Sequence, residues 1–262
     1  MALVRSEVRN GATVLTLDRS KRHNALVPEL LDELRAAIAE ASAAEPTALV
    51  LTGAGPSFST GGDVGGFLKA ASSPEALDSY AYRTVSALHA TILDLLALPC
   101  PVIAKVNGPV TGGSVGLVLA ADLVAMAETA FIQPYYSEVG FSPDGGWTAL
   151  LPERIGTAEA LAMQVLNRRI SAQEARDLRL VTTVTSAADL DGLVETWLAQ
   201  IAQKSRASLA ATRRLVWSGE RVARVAVGLD AELHSFLAEI GTDETRAGMV
   251  RFVTKARKQA AQ

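Results

Sequence analysis

Three short stretches of this chain carry residue types that could do chemistry. Gly61-Gly62-Asp63 and Gly112-Gly113-Ser114-Val115-Gly116 are glycine-rich, and Ser142-Pro143-Asp144-Gly145-Gly146 sets one acidic side chain among turn formers. Glycine lets a ligand approach the main chain because no Cβ stands in the way. Gly112 and Gly113 fall where an apolar helix is predicted to begin, so their N–H groups lack intrahelical acceptors and lie at its positive end. Gly61 to Asp63 offers a second exposed N–H after a buried strand. Two such donors converging on one carbonyl oxygen would stabilise an enolate or a tetrahedral oxyanion.

Other uses of these residues have to be weighed. Glycine loops after strands also cradle phosphates, but the chain holds no G-x-x-x-x-G-K-[ST] and neither cluster spells G-x-G-x-x-G. No H-E-x-x-H and no cysteine–histidine cluster points to zinc, so no metal is expected. Gly112 to Gly116 does satisfy G-x-S-x-G, and Ser114, Asp144 and His234 follow the chain order of an α/β-hydrolase triad. That elbow needs a strand running almost directly into its first glycine, whereas Asn107-Gly108-Pro109-Val110-Thr111 intervenes. A serine hydrolase is therefore a remote alternative. Cys100, the single cysteine, sits between Pro99 and Pro101 and reads as a small packed residue. Asp144 has two readings from its neighbours alone: an acid–base group, or the acceptor of a turn or helix cap before Trp147.

The elements that would position these loops are legible from patterning. Val4 to Val8 and Thr13 to Leu17 flank Asn10-Gly11, a hairpin signal. Leu26 to Ala44 has helical spacing and closes at Glu45-Pro46. Ala48 to Thr52 reads as a buried strand, Pro74 to Leu98 as a long helix, Val102 to Val106 as another strand, and Leu117 to Ala121 as helix-like. Strand, glycine loop and helix thus occur twice, which implies α/β layering. From Ala158 onward the chain is expected to be mostly helical, with one β-like run at Leu180 to Val184 and a last helix from Asp243 to about Lys258. Ala70 to Pro74 is expected to form a mobile loop over the site.

At this point the residues resemble a family. Leu17-Asp18-Arg19 through Asn24-Ala25-Leu26, Phe58-Ser59-Thr60-Gly61-Gly62-Asp63-Val64, and Pro101 to Gly108 followed by Gly112-Gly113 and Ala121-Asp122-Leu123 are similar, in order and spacing, to the signature segments of the crotonase (enoyl-CoA hydratase/isomerase) superfamily. Ile170 to Ala175, Leu180-Val181, Phe252 and Lys255 continue the likeness. It implies an α/β fold, a crotonase-like spiral of β-β-α units with a helical C-terminal region: residues 1–200 as a core binding acyl-CoA, and 201–262 as a helical oligomerisation region of a homotrimer or dimer of trimers. It implies no prosthetic group; coenzyme A enters as part of the thioester substrate. The oxyanion donors would be the amides of Gly62 and Gly113. CoA would lie along Arg22, Asn24, Ala25 and Leu26 and along Ser59, Thr60, Gly62, Asp63 and Val64, with Phe252 and Lys255 contributing from a helix. A solvated surface is the competing reading for Arg22 and Lys255.

The resemblance also shows where this chain departs. Hydratases of the family hold a water between two glutamates; the corresponding positions here are Gly116 and Tyr136. Several isomerase branches instead carry one carboxylate where this chain has Asp144, and a dehalogenase branch uses an aspartate there as nucleophile. One carboxylate suffices to move a double bond, taking a proton from one carbon and returning it to another. The expected activity is therefore an enoyl-CoA isomerase with Asp144 as acid and base, and Tyr136 and Trp147 near the acyl group. A hydratase and a non-catalytic CoA-ligand binding protein are the alternatives. Glu138 is expected at the surface, and His89 is expected to be a surface or core histidine rather than a catalyst.

Composition fits this frame. The 262 residues are 49% hydrophobic but only 5% aromatic, so the core must be aliphatic. A formal charge of −3 argues against a nucleic-acid surface. No apolar run reaches the roughly 20 residues of a membrane span, the N-terminus carries Arg5, Glu7 and Arg9 rather than a secretory core, and a lone cysteine suits a reducing compartment. A soluble cytoplasmic protein is expected.

Overall fold

The structure, a computed structural model, describes residues 2–260. Strands β1 (Val4–Arg9) and β2 (Ala12–Leu17) pair antiparallel across Asn10 and Gly11, whose φ values are +50° and +78°. Positive φ at both positions is the backbone of a two-residue hairpin whose twist matches its strands. β1 turns Arg5, Glu7 and Arg9 to solvent, so the edge it forms is charged rather than adhesive.

Helix α1 (Pro28–Ala43) starts with proline in its first turn and buries Leu30, Leu31, Leu34, Ile38 and Ala41. It begins two residues later than the periodicity predicts, because Leu26 is held in a parallel bridge with Gly62. β3 (Leu49–Gly53) follows, then α2 (Val64–Ala70), α3 (Pro74–Ala97), β4 (Val102–Val106) and the short β5 (Val110–Thr111). The expected loop over Ala70 to Pro74 shrinks to three residues. Ser73 Oγ accepts from the Ala76 N–H and Pro74 fixes the first turn of α3, a start signal that leaves little free chain.

Helix α4 (Val115–Leu119), β6 (Leu123–Ala127), β7 (Phe131–Gln133), α5 (Tyr136–Val139), α6 (Leu151–Ile155) and α7 (Thr157–Val165) complete the middle of the chain. β8 (Ile170–Ser171), α8 (Ala172–Asp177) and β9 (Thr183–Thr185) lead into four helices, α9 (Leu190–Ala202), α10 (Arg206–Val216), α11 (Gly219–Ile240) and α12 (Asp243–Ala260). Of the β-like run predicted at Leu180 to Val184, the pairing portion is β9; Leu180 and Val181 are buried on the approach to it.

The main sheet has the order β1-β2-β3-β4-β6-β9, parallel from β2 onward. β2, β3, β4 and β6 are nearly or fully buried, which is why they read as continuous apolar runs rather than alternating ones. A second sheet, β5-β7-β8, lies beside the glycine loops. The C-terminal helices close over the same side: α11 packs along α3, and α12 against α2 and α5. A second apolar cluster forms between them from Phe67, Leu77, Ala81, Val85, Val139 and Phe236. Among the described residues, no helix is long and apolar enough to cross a membrane.

Candidate active site

Two glycine loops meet at the C-terminal ends of β3 and β4. The first is pinned from below by Asn24, itself at φ +54°. Its Nδ2 donates to the carbonyls of Ala54, Ser57 and Phe58 at 2.9, 2.9 and 3.1 Å, and its Oδ1 accepts from the Arg19 N–H. Ser59 Oγ donates to Asn24 O at 2.8 Å. These two side chains, expected along the CoA path, are turned inward and hold the loop. Thr60 is tied to His23 O through its N–H at 3.1 Å.

Asp63 caps α2 by accepting from the Gly66 N–H, and it pairs with Arg19 at 2.8 Å and Arg22 at 3.1 Å. Burial alone would raise its pKa, but the hydrogen bond and charge of Arg19, with Arg22 behind, pull it below the usual carboxylate value. Arg22 is thus drawn to Asp63 while staying mostly exposed. Around Gly62, Leu26 N donates to Gly61 O and Asp63 N to Leu26 O. This bridge turns the Gly62 N–H away from Leu26, and it donates to no acceptor among the described residues. Ala25 and Leu26 are buried, and Val64 is half-buried at the start of α2.

The second loop is zipped to the first. Ser59 N donates to Pro109 O and Thr111 N to Ser59 O. Gly61 (φ +75°) and Gly112 (φ +53°) face each other so closely that a Cβ on Gly61 would lie 2.6 Å from Thr111 O, a contact only glycine permits. Gly113 stands in the first turn of a 3₁₀ segment that runs into α4; its N–H also meets no acceptor among the described residues. Trp147, fully buried, donates its indole N–H to Gly112 O at 2.8 Å and packs edge-on to Tyr136, so it buttresses this loop.

Asp144 closes the site. A Cβ placed on Gly113 would lie 2.6 Å from Asp144 Oδ1, so the carboxyl rests directly on the glycine. Asp144 is 8% exposed, and among the described residues no cation lies against it. The Tyr136 hydroxyl donates to Oδ1 at 2.5 Å and also lies 2.9 Å from the Asp144 carbonyl. Burial pushes the Asp144 pKa up to about 7; the Tyr136 hydrogen bond pulls it down, and the charge of Glu232 adds to the rise. Tyr136, expected beside the acyl group, therefore spends its hydroxyl on the carboxyl, and burial and that carboxyl drive its own pKa well above the phenol range.

Two side chains from distant helices hold the turn that follows Asp144. His89 of α3 accepts from the Gly145 N–H through Nε2 at 3.1 Å, and burial lowers its pKa to about 4. It is neutral, with its proton on Nδ1. Glu232 of α11, 3% exposed, accepts from the N–H groups of Gly146, Thr148 and Ala149 and from the Thr148 hydroxyl at 2.7–3.1 Å. Burial raises its pKa against the pull of those hydrogen bonds. Sequence reading missed Glu232, yet a signal existed: Val225, Leu229, Glu232, Phe236 and Ile240 form the buried stripe of α11, and a carboxylate on an apolar stripe demands partners.

The geometry corrects the hydrolase alternative. Ser114 is fully buried with its hydroxyl against Ser59 O and Thr111 O, at 2.9 and 2.8 Å. His234 is exposed on α11 and bonds the Asp230 carbonyl one turn back, so no Ser–His–Asp relay exists. G-x-S-x-G arises here because the loop needs glycines and a small hydroxyl to cross-link its carbonyls. At Gly116 a Cβ would fall 2.1 Å from Gly145 O and 2.5 Å from Ile92 Cδ1, leaving no room for a side chain. Glu138 is exposed. Phe252 packs edge-on to Tyr135, and Lys255 is exposed on α12; among the described residues no contact ties either to Gly62 or Asp144.

A family model described as Enoyl-CoA hydratase/isomerase matches residues 7–261. A probable enoyl-CoA hydratase of Rhodobacter capsulatus is 30% identical over 253 residues, 96% of this chain and 95% of that protein. Enoyl-CoA delta isomerase 2 of Rattus norvegicus is 28% identical over 256 residues, 98% of this chain and 64% of that protein. The crystal structure of an enoyl-CoA hydratase from Bacillus halodurans superposes with a TM-score of 0.89 at 23% identity, covering 95% of this chain and 99% of that one. Identity that low speaks to the fold alone.

Proposed function

The chain belongs to the enoyl-CoA hydratase/isomerase (crotonase) family, and we propose that within it the protein is an isomerase that moves the double bond of an enoyl-CoA thioester with Asp144 as sole acid and base. The thioester oxygen accepts from the N–H groups of Gly62 and Gly113. Asp144 removes a proton from C2 of a 3-enoyl-CoA, and the electron pair moves into the thioester, giving a dienolate whose oxygen the two amides stabilise. Asp144 then delivers that proton to C4. The carbonyl re-forms, the double bond stands between C2 and C3, and nothing is consumed.

The observation that carries this reading is a buried carboxyl resting on Gly113 whose pKa is raised to about 7. A group that must take and then return one proton works best with a pKa near the operating pH. The nucleotide and pantetheine arm would follow the backbone of Arg22 to Leu26 and Ser59 to Val64, with the Arg22 guanidinium reaching outward, since Asn24 and Ser59 are engaged internally.

A hydratase is the second reading, favoured by the name of the Rhodobacter capsulatus relative. It needs two carboxylates around a water. Position 116 cannot hold a side chain, Tyr136 occupies the other position, and Glu232 is saturated with donors. The test is turnover of purified protein on 2-enoyl- and 3-enoyl-CoA esters with products resolved. Asp144→Asn is expected to lower isomerisation by ~10²–10⁴-fold while CoA affinity holds. Turnover near wild type in that variant would remove Asp144 from the chemistry; 3-hydroxyacyl-CoA as the main product would favour the hydratase; CoA affinity without turnover would favour a binding protein.

A homotrimer, alone or doubled, belongs to the same reading. Leu161 and Val165 on α7, Leu166 just after it, and Leu215, Val216 and Val227 on α10 and α11 are exposed, apolar surface that a neighbouring copy would cover. A monomer in sedimentation velocity would sink this part.

A further inference from the structure

We propose that Glu232 of α11 is a positioning residue for Asp144: it fixes the turn from Gly146 to Ala149 that presents the Asp144 carboxyl to Gly113. The inference rests on the proposed isomerase reading for its kinetic consequence, but not for its structural one.

Four observations carry it. First, Glu232 is separated from the turn by more than 80 residues, yet both its oxygens are spent there: Oε2 on the Gly146 N–H, Oε1 on Thr148 N–H, Thr148 Oγ and Ala149 N–H. Three of these donors are main-chain amides that can only donate, so the geometry suits the anion. Second, Gly145 and Gly146 both have positive φ, +66° and +88°. Such a backbone has no intrinsic preference for this shape over others and depends on its anchors. Third, the anchors come as a pair from two packed helices: His89 of α3 takes the Gly145 N–H, Glu232 of α11 the Gly146 N–H, and their acceptor atoms lie 3.7 Å apart. Consecutive amides after Asp144 are thus clamped from two sides. Fourth, the groups acting on Asp144 are the Tyr136 hydroxyl from α5 and the Glu232 carboxylate from α11; the His89 ring from α3 is neutral, and the Asp230 charge acts on His89. Glu232 supplies the one like charge, and a neighbouring anion disfavours a second one.

Tyr136 and Glu232 therefore push Asp144 in opposite directions, which gives the test its sign. The Asp144 carboxyl is titrated by difference infrared spectroscopy, its band identified by disappearance in Asp144→Asn. Glu232→Gln is expected to move the midpoint down and to cut kcat by ~10-fold or more with KM little changed. Tyr136→Phe is expected to move the midpoint up. An unshifted Asp144 midpoint in folded Glu232→Gln overturns the charge role, and wild-type kcat there overturns the positioning role. Should Glu232→Gln not fold, Thr148→Val removes one donor from Oε1 at little structural cost. Amide exchange at Gly145 to Ala149 is then expected to quicken by ~10-fold, and unchanged exchange overturns the tether. Both the infrared and exchange readouts stand even if the wild-type protein isomerises nothing, so failure of the isomerase reading is seen separately.

Discussion

Asp63 and Asp144 are the same residue type, the first following a glycine pair and the second preceding one, and both are buried at 6% and 8% exposure, yet their surroundings send them to opposite ends of carboxyl behaviour. Asp63 has two arginines and the Gly66 amide, and its pKa falls. Asp144 has a phenol, a glycine and a second carboxylate nearby, and its pKa climbs to about 7. Burial penalises both charges, Asp144 the more deeply, and only at Asp63 does a cation offset it. The first aspartate is a permanent anion that caps α2 and binds the N-terminal segment to the loop. The second can be proton donor or acceptor near neutrality. Burial of a carboxyl is therefore no sign of chemistry until its charge partners are known.

Crossing the two sites breaks or sharpens this contrast. The largest expected effect is on turnover: Asp144→Asn should lose ~10²–10⁴ in isomerisation, whereas Asp63→Ala, assayed per folded molecule, should lose far less. Comparable losses would mean that the contrast in charge state does not map onto function.

Stability should respond in the reverse sense, and with pH. The folded-state pKa of Asp144 lies above its ordinary value near 4, so its favourable contribution is complete at low pH and is lost as pH rises through about 7. Asp144→Asn, which cannot ionise, should match wild type near pH 4 and exceed it at pH 8. The gap is on the order of 4 kcal/mol from roughly three pKa units. Melting curves at the two pH values check it; a gap independent of pH would contradict the raised pKa.

Asp63 carries the opposite sign and a smaller magnitude. Its depressed pKa gives stability that is present above the ordinary carboxylate value and lost as pH falls through and below it. Asp63→Ala should cost about 2 kcal/mol at pH 7, combining the lost cap with two uncompensated, partly exposed arginines. The penalty should shrink in acid. Urea midpoints at pH 7 and pH 3 measure it, and a penalty that grows in acid would reverse the assignment.

Much of the frame was legible because it is local. Asn10-Gly11 dictates its own turn, Pro74 after Ser73 starts α3, and runs such as Val102 to Val106 are apolar throughout because a parallel strand is covered on both faces. Gly113 and Asp144 stood out in the sequence and touch in the fold, where Gly61 also lies against Gly112. The roles of Asn24, Ser59 and Tyr136 were not legible. A polar side chain beside a loop can face the ligand or the loop's own carbonyls, and only packing chooses between them. Ser114 shows the hazard from the other side, since a motif can be met by residues that serve backbone geometry.

Where the chain turns, which strands are buried and where amides are left without partners follow from the order of residues, because torsional preference and apolar pattern act over a few positions. The tertiary structure alone decided the state of Asp144. That state depends first on burial, then on a phenol from α5 and a carboxylate from α11 arriving at one turn, and on the arginines ending up around Asp63 instead. Electrostatic energy depends on distance in space and on solvent exclusion, and neither quantity is written along the chain.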